Sequence, residues 1–123
     1  VQRRGVILFN ASKGAFAPTS DNAAYASSKA AVAALCRNLA VEWGGHNIRV
    51  NSINPGYTDH VPSYGDVSPG AGEDLDDGVR VMTPLGRRGR VNEFVWPVVF
   101  LASDASSYIT GVNLRIDGGY AIK

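Results

Sequence analysis

Three residues in this chain could carry chemistry by their types and spacing: Ser12, Tyr25 and Lys29. Tyr25 and Lys29 are four apart, which places them one turn apart on one face of a helix. A free phenol titrates near pH ~10, too high for proton transfer at neutral pH. A neighbouring ammonium favours the phenolate and lowers that value. Ser12, thirteen residues upstream of Tyr25, adds a hydroxyl that can hold a substrate oxygen while Tyr25 gives or takes its proton. A Tyr-x-x-x-Lys pair alone is common on solvated helix surfaces, so its meaning depends on the elements around it.

Those elements alternate. Gly5 to Phe9 is a short apolar run of the kind found in a strand buried on both faces. Asn10 to Asn22 is rich in Gly, Pro, Ser, Thr and Asp and reads as a loop. A helix is predicted from about Ala23 to Trp43, with Val32, Leu35, Cys36, Leu39 and Trp43 as its apolar stripe. Its many alanines favour helix and offer a surface that another helix can approach. Gly44 and Gly45 are predicted to stop it. Ile48 to Ile53 reads as a second strand, closed by Asn54-Pro55-Gly56. From Tyr57 to Met82 there is little periodicity, and a stretch of this length reads as a lid. A helix is expected over 92–103, with Asn92 as N-cap and a kink or late start at Pro97. Val112, Leu114 and Ile116 alternate as a third strand. The resulting fold class is α/β, a parallel sheet of about three strands with flanking helices. Its first strand leaves an apolar edge open.

In open parallel sheets, ligands bind beyond the carboxyl ends of the strands. Ser12 follows the first strand, and Pro55, Gly56, Tyr57 and Thr58 follow the second, so both sets belong to one rim. Tyr25 can join them from the start of the long helix. Convergence of this kind is what a site requires.

The order of motifs goes further. Gly5-Val6-Ile7-Leu8-Phe9-Asn10-Ala11-Ser12 is followed by Tyr25 and Lys29, then by Asn47-Ile48-Arg49-Val50-Asn51-Ser52-Ile53-Asn54-Pro55-Gly56. Pro84-Leu85-Gly86-Arg87, Ser107-Tyr108-Ile109-Thr110-Gly111 and Asp117-Gly118-Gly119 come later. Over nearly all of its length the chain resembles the C-terminal half of a short-chain dehydrogenase/reductase, a partial Rossmann-like domain. The resemblance implies that residues 1–123 form the catalytic half of that domain, with 57–83 as a substrate loop within it. It implies Tyr25 as general acid/base, Ser12 as the group that orients and polarises a carbonyl, and Lys29 as the lysine that lowers the phenol pKa and binds the nicotinamide ribose. It further implies cofactor contacts at Tyr25, Lys29, Pro55, Gly56 and Thr58, and substrate contacts at Phe16, Tyr57 and His60. The cofactor would be NAD or NADP and the substrate a small alcohol or carbonyl compound.

Two positions depart from the family pattern. His60 stands where a threonine commonly contacts the cofactor, and Lys13 directly follows Ser12, either solvated or adding positive charge beside the substrate oxygen. No Gly-x-x-x-Gly-x-Gly or Gly-x-Gly-x-x-Gly occurs, and the chain has no initiator Met. The expectation is a fragment or shortened chain that binds a dinucleotide weakly or not at all when isolated. It would pair as a homo-oligomer, through Ala33, Ala34, Arg37 and Val41, or with a chain supplying the missing half. Alternatives are a non-redox isomerase, dehydratase or cyclase reusing Ser12, Tyr25 and Lys29, or a non-catalytic assembly module.

Composition bounds the remaining classes. With 123 residues, 45% hydrophobic and 19% charged, the chain fits one globular domain at most. Its net charge of +1 favours neither nucleic acid nor an anionic membrane. Arg3-Arg4 and Arg87 to Arg90 read as solvated turns. No apolar run approaches the ~20 residues of a membrane helix. Cys36 is the only cysteine, which points to a reducing, cytoplasmic setting, and its apolar context marks it as a small core residue. Glu73 to Asp77 matches no calcium-loop spacing and reads as a solvated acidic start to the lid. The glycines of Asp117-Gly118-Gly119 suit close packing.

Overall fold

The computed structural model describes residues 4–17, 19–59 and 71–122, and within them the side chains of 71–76 are not described. Three parallel strands form one sheet in the order β1-β2-β3: β1 Gly5–Asn10, β2 Ile48–Pro55 and β3 Asn113–Ile116. β1 pairs with β2 from Gly5 opposite Ile48 to Asn10 opposite Ile53. β2 pairs with β3 from Ser52 opposite Asn113 to Pro55 opposite Ile116. The α/β class and the three-stranded sheet read from the sequence are what the structure shows, with β1 at the edge.

The long helix α1, Ala23–Gly44, covers one face. Ala33, Cys36 and Ala40 are its buried residues, at helical steps of three and four. Cys36 and Ala40 close on Val50, and Ile7, Phe9, Leu39, Trp43 and Ile48 pack around them. The seam is therefore made of small residues, which lets the helix approach the sheet closely. Leu35, placed in the apolar stripe by spacing, is 46% exposed instead. Ala33, expected at an intermolecular contact, is 2% exposed against its own fold. Gly44 closes the helix, but Asn47, at φ 59°, makes the left-handed reversal before β2.

From its other face β2 is tied through Arg49 and Asn51 to the segments around α3, Val95–Ala102. Arg49 donates to the carbonyls of Leu101 and Ser103, both at 2.9 Å. Asn51 donates to Ile109 O at 3.0 Å and accepts from Val112 N at 3.1 Å. Because strand side chains alternate, Val50 faces α1 while Arg49 and Asn51 face the opposite layer. Pro97 is the third residue of α3, in the first turn, where its missing N–H costs no helical hydrogen bond. The expected late start is the form taken: a 3-10 turn, Val91–Phe94, precedes α3. Arg90 rather than Asn92 caps that turn, its N–H donating to the Glu93 carboxylate at 2.7 Å.

The aperiodic reading of 57–82 fails at its end. Ala71–Met82 is a helix, α2. Leu75, Val79 and Met82 recur at steps of four and three, and Val79 is 2% exposed. The acidic run belongs to this helix. Among the described residues no His, Cys, Asp and Glu group could hold a metal ion.

Candidate functional site

Parallel pairing puts the carboxyl ends of all three strands on one rim. β1 delivers Ser12 and Lys13 there, β2 delivers Gly56, Tyr57 and Thr58, and β3 delivers Asp117 to Tyr120. Ser12, in extended conformation, caps a 3-10 turn, Lys13–Ala15, and its Oγ accepts from Gly14 N at 3.1 Å. The hydroxyl is thereby fixed through its acceptor side, and its proton is left to point elsewhere.

Tyr25 lies in the first turn of α1 and is 47% exposed. It approaches Ser12 around Gly14: a Cβ on that glycine would stand 3.6 Å from both Ser12 Oγ and Tyr25 Cε1. Lys29 Nζ donates to the backbone oxygen of Asn10 at 3.0 Å and lies 5.7 Å from the centroid of the Tyr25 ring. This bond ties α1 to the end of β1. The three residues predicted to form the site are thus gathered at one place.

The remaining predicted contacts divide. Phe16 ends the 3-10 turn and is 42% exposed. Gly56 abuts the turn after β3, where a Cβ would meet Asp117 Cα at 2.7 Å. Pro55 pairs with Ile116 as the last residue of β2. Thr58 pairs with Gly89 in a short bridge, and its hydroxyl reaches Gly56 O at 3.4 Å. Tyr57 is half-buried against Tyr120, ring edge to face at 5.6 Å. His60 and the rest of 60–70, expected to belong to a lid, lie outside the described residues.

Lys13 is neither solvated nor paired with a carboxylate. It is 8% exposed, and its Nζ stands 4.2 Å from the Tyr57 ring centroid and 4.0 Å from that of Tyr120. Sequence reasoning missed this cage because Tyr120 is far away in the chain. The one signal available was the apolar company of Lys13 between Ala11 and Phe16.

Arg87, read as a solvated turn residue, instead forks onto Glu93 at 2.7 and 2.8 Å. That fork and the Arg90 N–H hold the Glu93 carboxyl down at about 2. The same carboxylate raises the Arg87 guanidinium above its ordinary value. Burial pushes the Cys36 thiol up, which removes it as a nucleophile at neutral pH and leaves it as the core residue expected. No described helix is long and apolar enough to cross a membrane.

Residues 1–121 match the family model described as Enoyl-(Acyl carrier protein) reductase. The chain belongs to the short-chain dehydrogenase/reductase family of oxidoreductases. It is 38% identical over 121 residues to a 2-dehydro-3-deoxy-D-gluconate 5-dehydrogenase from Pseudoalteromonas atlantica, a match covering 97% of this chain and 46% of that one. It is 40% identical over 119 residues to an NAD-dependent glycerol dehydrogenase from Listeria innocua, covering 97% and 45%. The gluconate 5-dehydrogenase of Burkholderia cenocepacia, solved with NADP and tartrate, superimposes with a TM-score of 0.89 at 29% identity, covering 98% of this chain and 46% of that one. The chain thus spans less than half the length of these relatives.

Proposed function

We propose that this chain is the catalytic half of an NAD(P)-dependent oxidoreductase that interconverts an alcohol and a carbonyl compound. The observation that carries the reading is the meeting of Ser12 and Tyr25 around Gly14, with Lys29 anchored to the end of β1 beside them. Ser12, already accepting from Gly14 N, donates a hydrogen bond to the substrate carbonyl oxygen and polarises it while keeping its proton. Tyr25 Oη gives its proton to that oxygen on reduction and takes it back on oxidation. The nicotinamide, when bound, exchanges the hydride with the substrate carbon.

The described residues fit one part of such a dinucleotide. A ribose diol needs donors and acceptors, and Lys29 gives only one of its three N–H groups to Asn10. Tyr25 stands exposed one turn away. A pyrophosphate needs a glycine-rich turn running into a helix N-terminus. Among the described residues no strand leads into one: β1 is followed by a 3-10 turn and β3 by another. The relatives named above include NAD- and NADP-linked enzymes, and that supports the cofactor class without choosing between the two.

Tyr25→Phe removes only the phenol hydroxyl. It is expected to lower turnover of the native assembly by ~10²–10⁴-fold with an unchanged circular dichroism spectrum. Nicotinamide absorbance followed over an alcohol and ketone panel measures it. A variant retaining half its activity refutes the role of Tyr25.

A further inference from the structure

Lys13 is a cation that the fold has shielded without giving it a counter-ion. Its stem is buried, and only 8% of the residue reaches solvent. Nζ sits against two tyrosine faces, at 4.2 Å from Tyr57 and 4.0 Å from Tyr120. Among the described residues no carboxylate or carbonyl accepts a hydrogen bond from it, and the ion pairs there engage Arg4, Arg80 and Arg87 instead. Nor is Nζ sealed, because Asn54 Oδ1 is the sole described side-chain polar atom both buried and unpartnered. Two ring faces compensate an ammonium only in part. A largely desolvated charge normally has a partner of opposite sign.

Position indicates what that partner is. Lys13 is bonded to Ser12, the residue proposed to hold the substrate oxygen. The cage around it is built by the loop after β2 and the turn after β3, on the same rim. The tyrosine rings fix Nζ and leave its N–H donors without acceptors. One ammonium presents a single charge, which balances a carboxylate and leaves a phosphate dianion half neutralised.

We infer that Lys13, in its Tyr57–Tyr120 cage, is the anchor for a carboxylate on the substrate, so that the preferred substrates are hydroxy acids and their keto counterparts. This rests on the proposed oxidoreductase reading for the identity of the site as a substrate pocket. The carboxylate accepts from Nζ while the hydroxyl or carbonyl lies between Ser12 and Tyr25.

The test uses matched pairs in which a carboxylate replaces a hydroxymethyl group: tartrate against threitol, and 3-hydroxybutyrate against butane-1,3-diol. Binding to the native assembly is measured by calorimetry for the parent, Lys13→Met and Lys13→Arg. The parent should bind at least one acid about tenfold or more tightly than its matched alcohol, the worth of a charge-assisted hydrogen bond. Lys13→Met should bring that ratio close to one, and Lys13→Arg should restore much of it. A merely structural lysine would lower the melting temperature and leave the ratio alone. No preference for either acid in the parent, or a preference that survives Lys13→Met in a folded protein, overturns the inference. Tyr25→Phe separates the two readings: an acid preference that depends on Lys13, without Tyr25-dependent turnover, refutes the oxidoreductase and keeps the carboxylate site.

Discussion

Glu93 holds the turn before α3 from two sides. Arg87 forks onto its carboxylate at 2.7 and 2.8 Å, and the Arg90 N–H donates at 2.7 Å. These donors, the Arg87 fork first, depress its pKa from an ordinary 4.5 to about 2. The unfolded chain takes up this proton near 4.5 and the folded chain only near 2. The contribution to stability is therefore complete above about 4.5 and is lost as the pH falls towards 2. Glu93→Gln should lower the melting temperature at neutral pH and flatten its decline across that window. Both partners are half-exposed, so added salt should shrink the difference. Parallel slopes for parent and variant would refute the assignment. At this scale the sequence was legible where chemistry is local. Ser12, Tyr25 and Lys29 stand within one loop and one helical turn of each other. The Lys13 cage was not legible because it joins segments far apart in the chain, and the Arg87–Glu93 fork, though only six residues long, depends on a turn geometry that no periodicity encodes.

Glycines lock the rim elements together. A Cβ on Gly56 would stand 2.7 Å from Asp117 Cα and 2.9 Å from its Cβ, with backbone that cannot swing away. Gly118, at φ 62°, presses on Thr83, and Gly119, at φ 88°, presses on Pro84. The loop after β2, the end of α2 and the turn after β3 thus share one close-packed junction under the site. Gly56→Ala should cost about 1–3 kcal/mol, read by denaturant titration. Gly45→Ala is the control, since it is right-handed helical with nothing within 4 Å of its Cβ, and it should be neutral or stabilising. Equal stability of the two variants would show that the junction yields. Strands, α1 and the delayed start of α3 were readable because apolar periodicity and Pro97 act locally. α2 was hidden by a glycine- and aspartate-rich neighbourhood, although Leu75, Val79 and Met82 kept helical spacing. The fully buried Asn51, Ser52 and Asn54 of β2 were also unreadable as core, because their partners around Ile109 to Leu114 lie far along the chain.

Among the described residues the sheet has three strands, with β1 at an edge that no described strand pairs. β1 pairs with β2 on one side only, and an unpaired edge of apolar residues is a template for another strand. Val6 on that edge is 39% exposed. The outer helix faces add Val41 at 84% and Trp96 at 74% exposure, apolar side chains that contact with another chain would cover. The two dehydrogenases and the solved structure named above are more than twice as long. We therefore expect the 123-residue chain by itself to associate, as a symmetric oligomer or with a second chain that pairs with β1. Sedimentation velocity at micromolar concentration should show a dimer or larger. Charge placed on the strand edge by Val6→Lys should reduce association through β1 while leaving association through α1 or α3 intact. The same chain should bind NAD(H) and NADP(H) only weakly by calorimetry, since the donors near Lys29 are proposed to hold only a ribose and, among the described residues, no strand leads into a pyrophosphate turn. A single monomer boundary with cooperative unfolding would show that three strands and two helix layers suffice. Submicromolar dinucleotide binding to that monomer would place a phosphate site elsewhere in the chain.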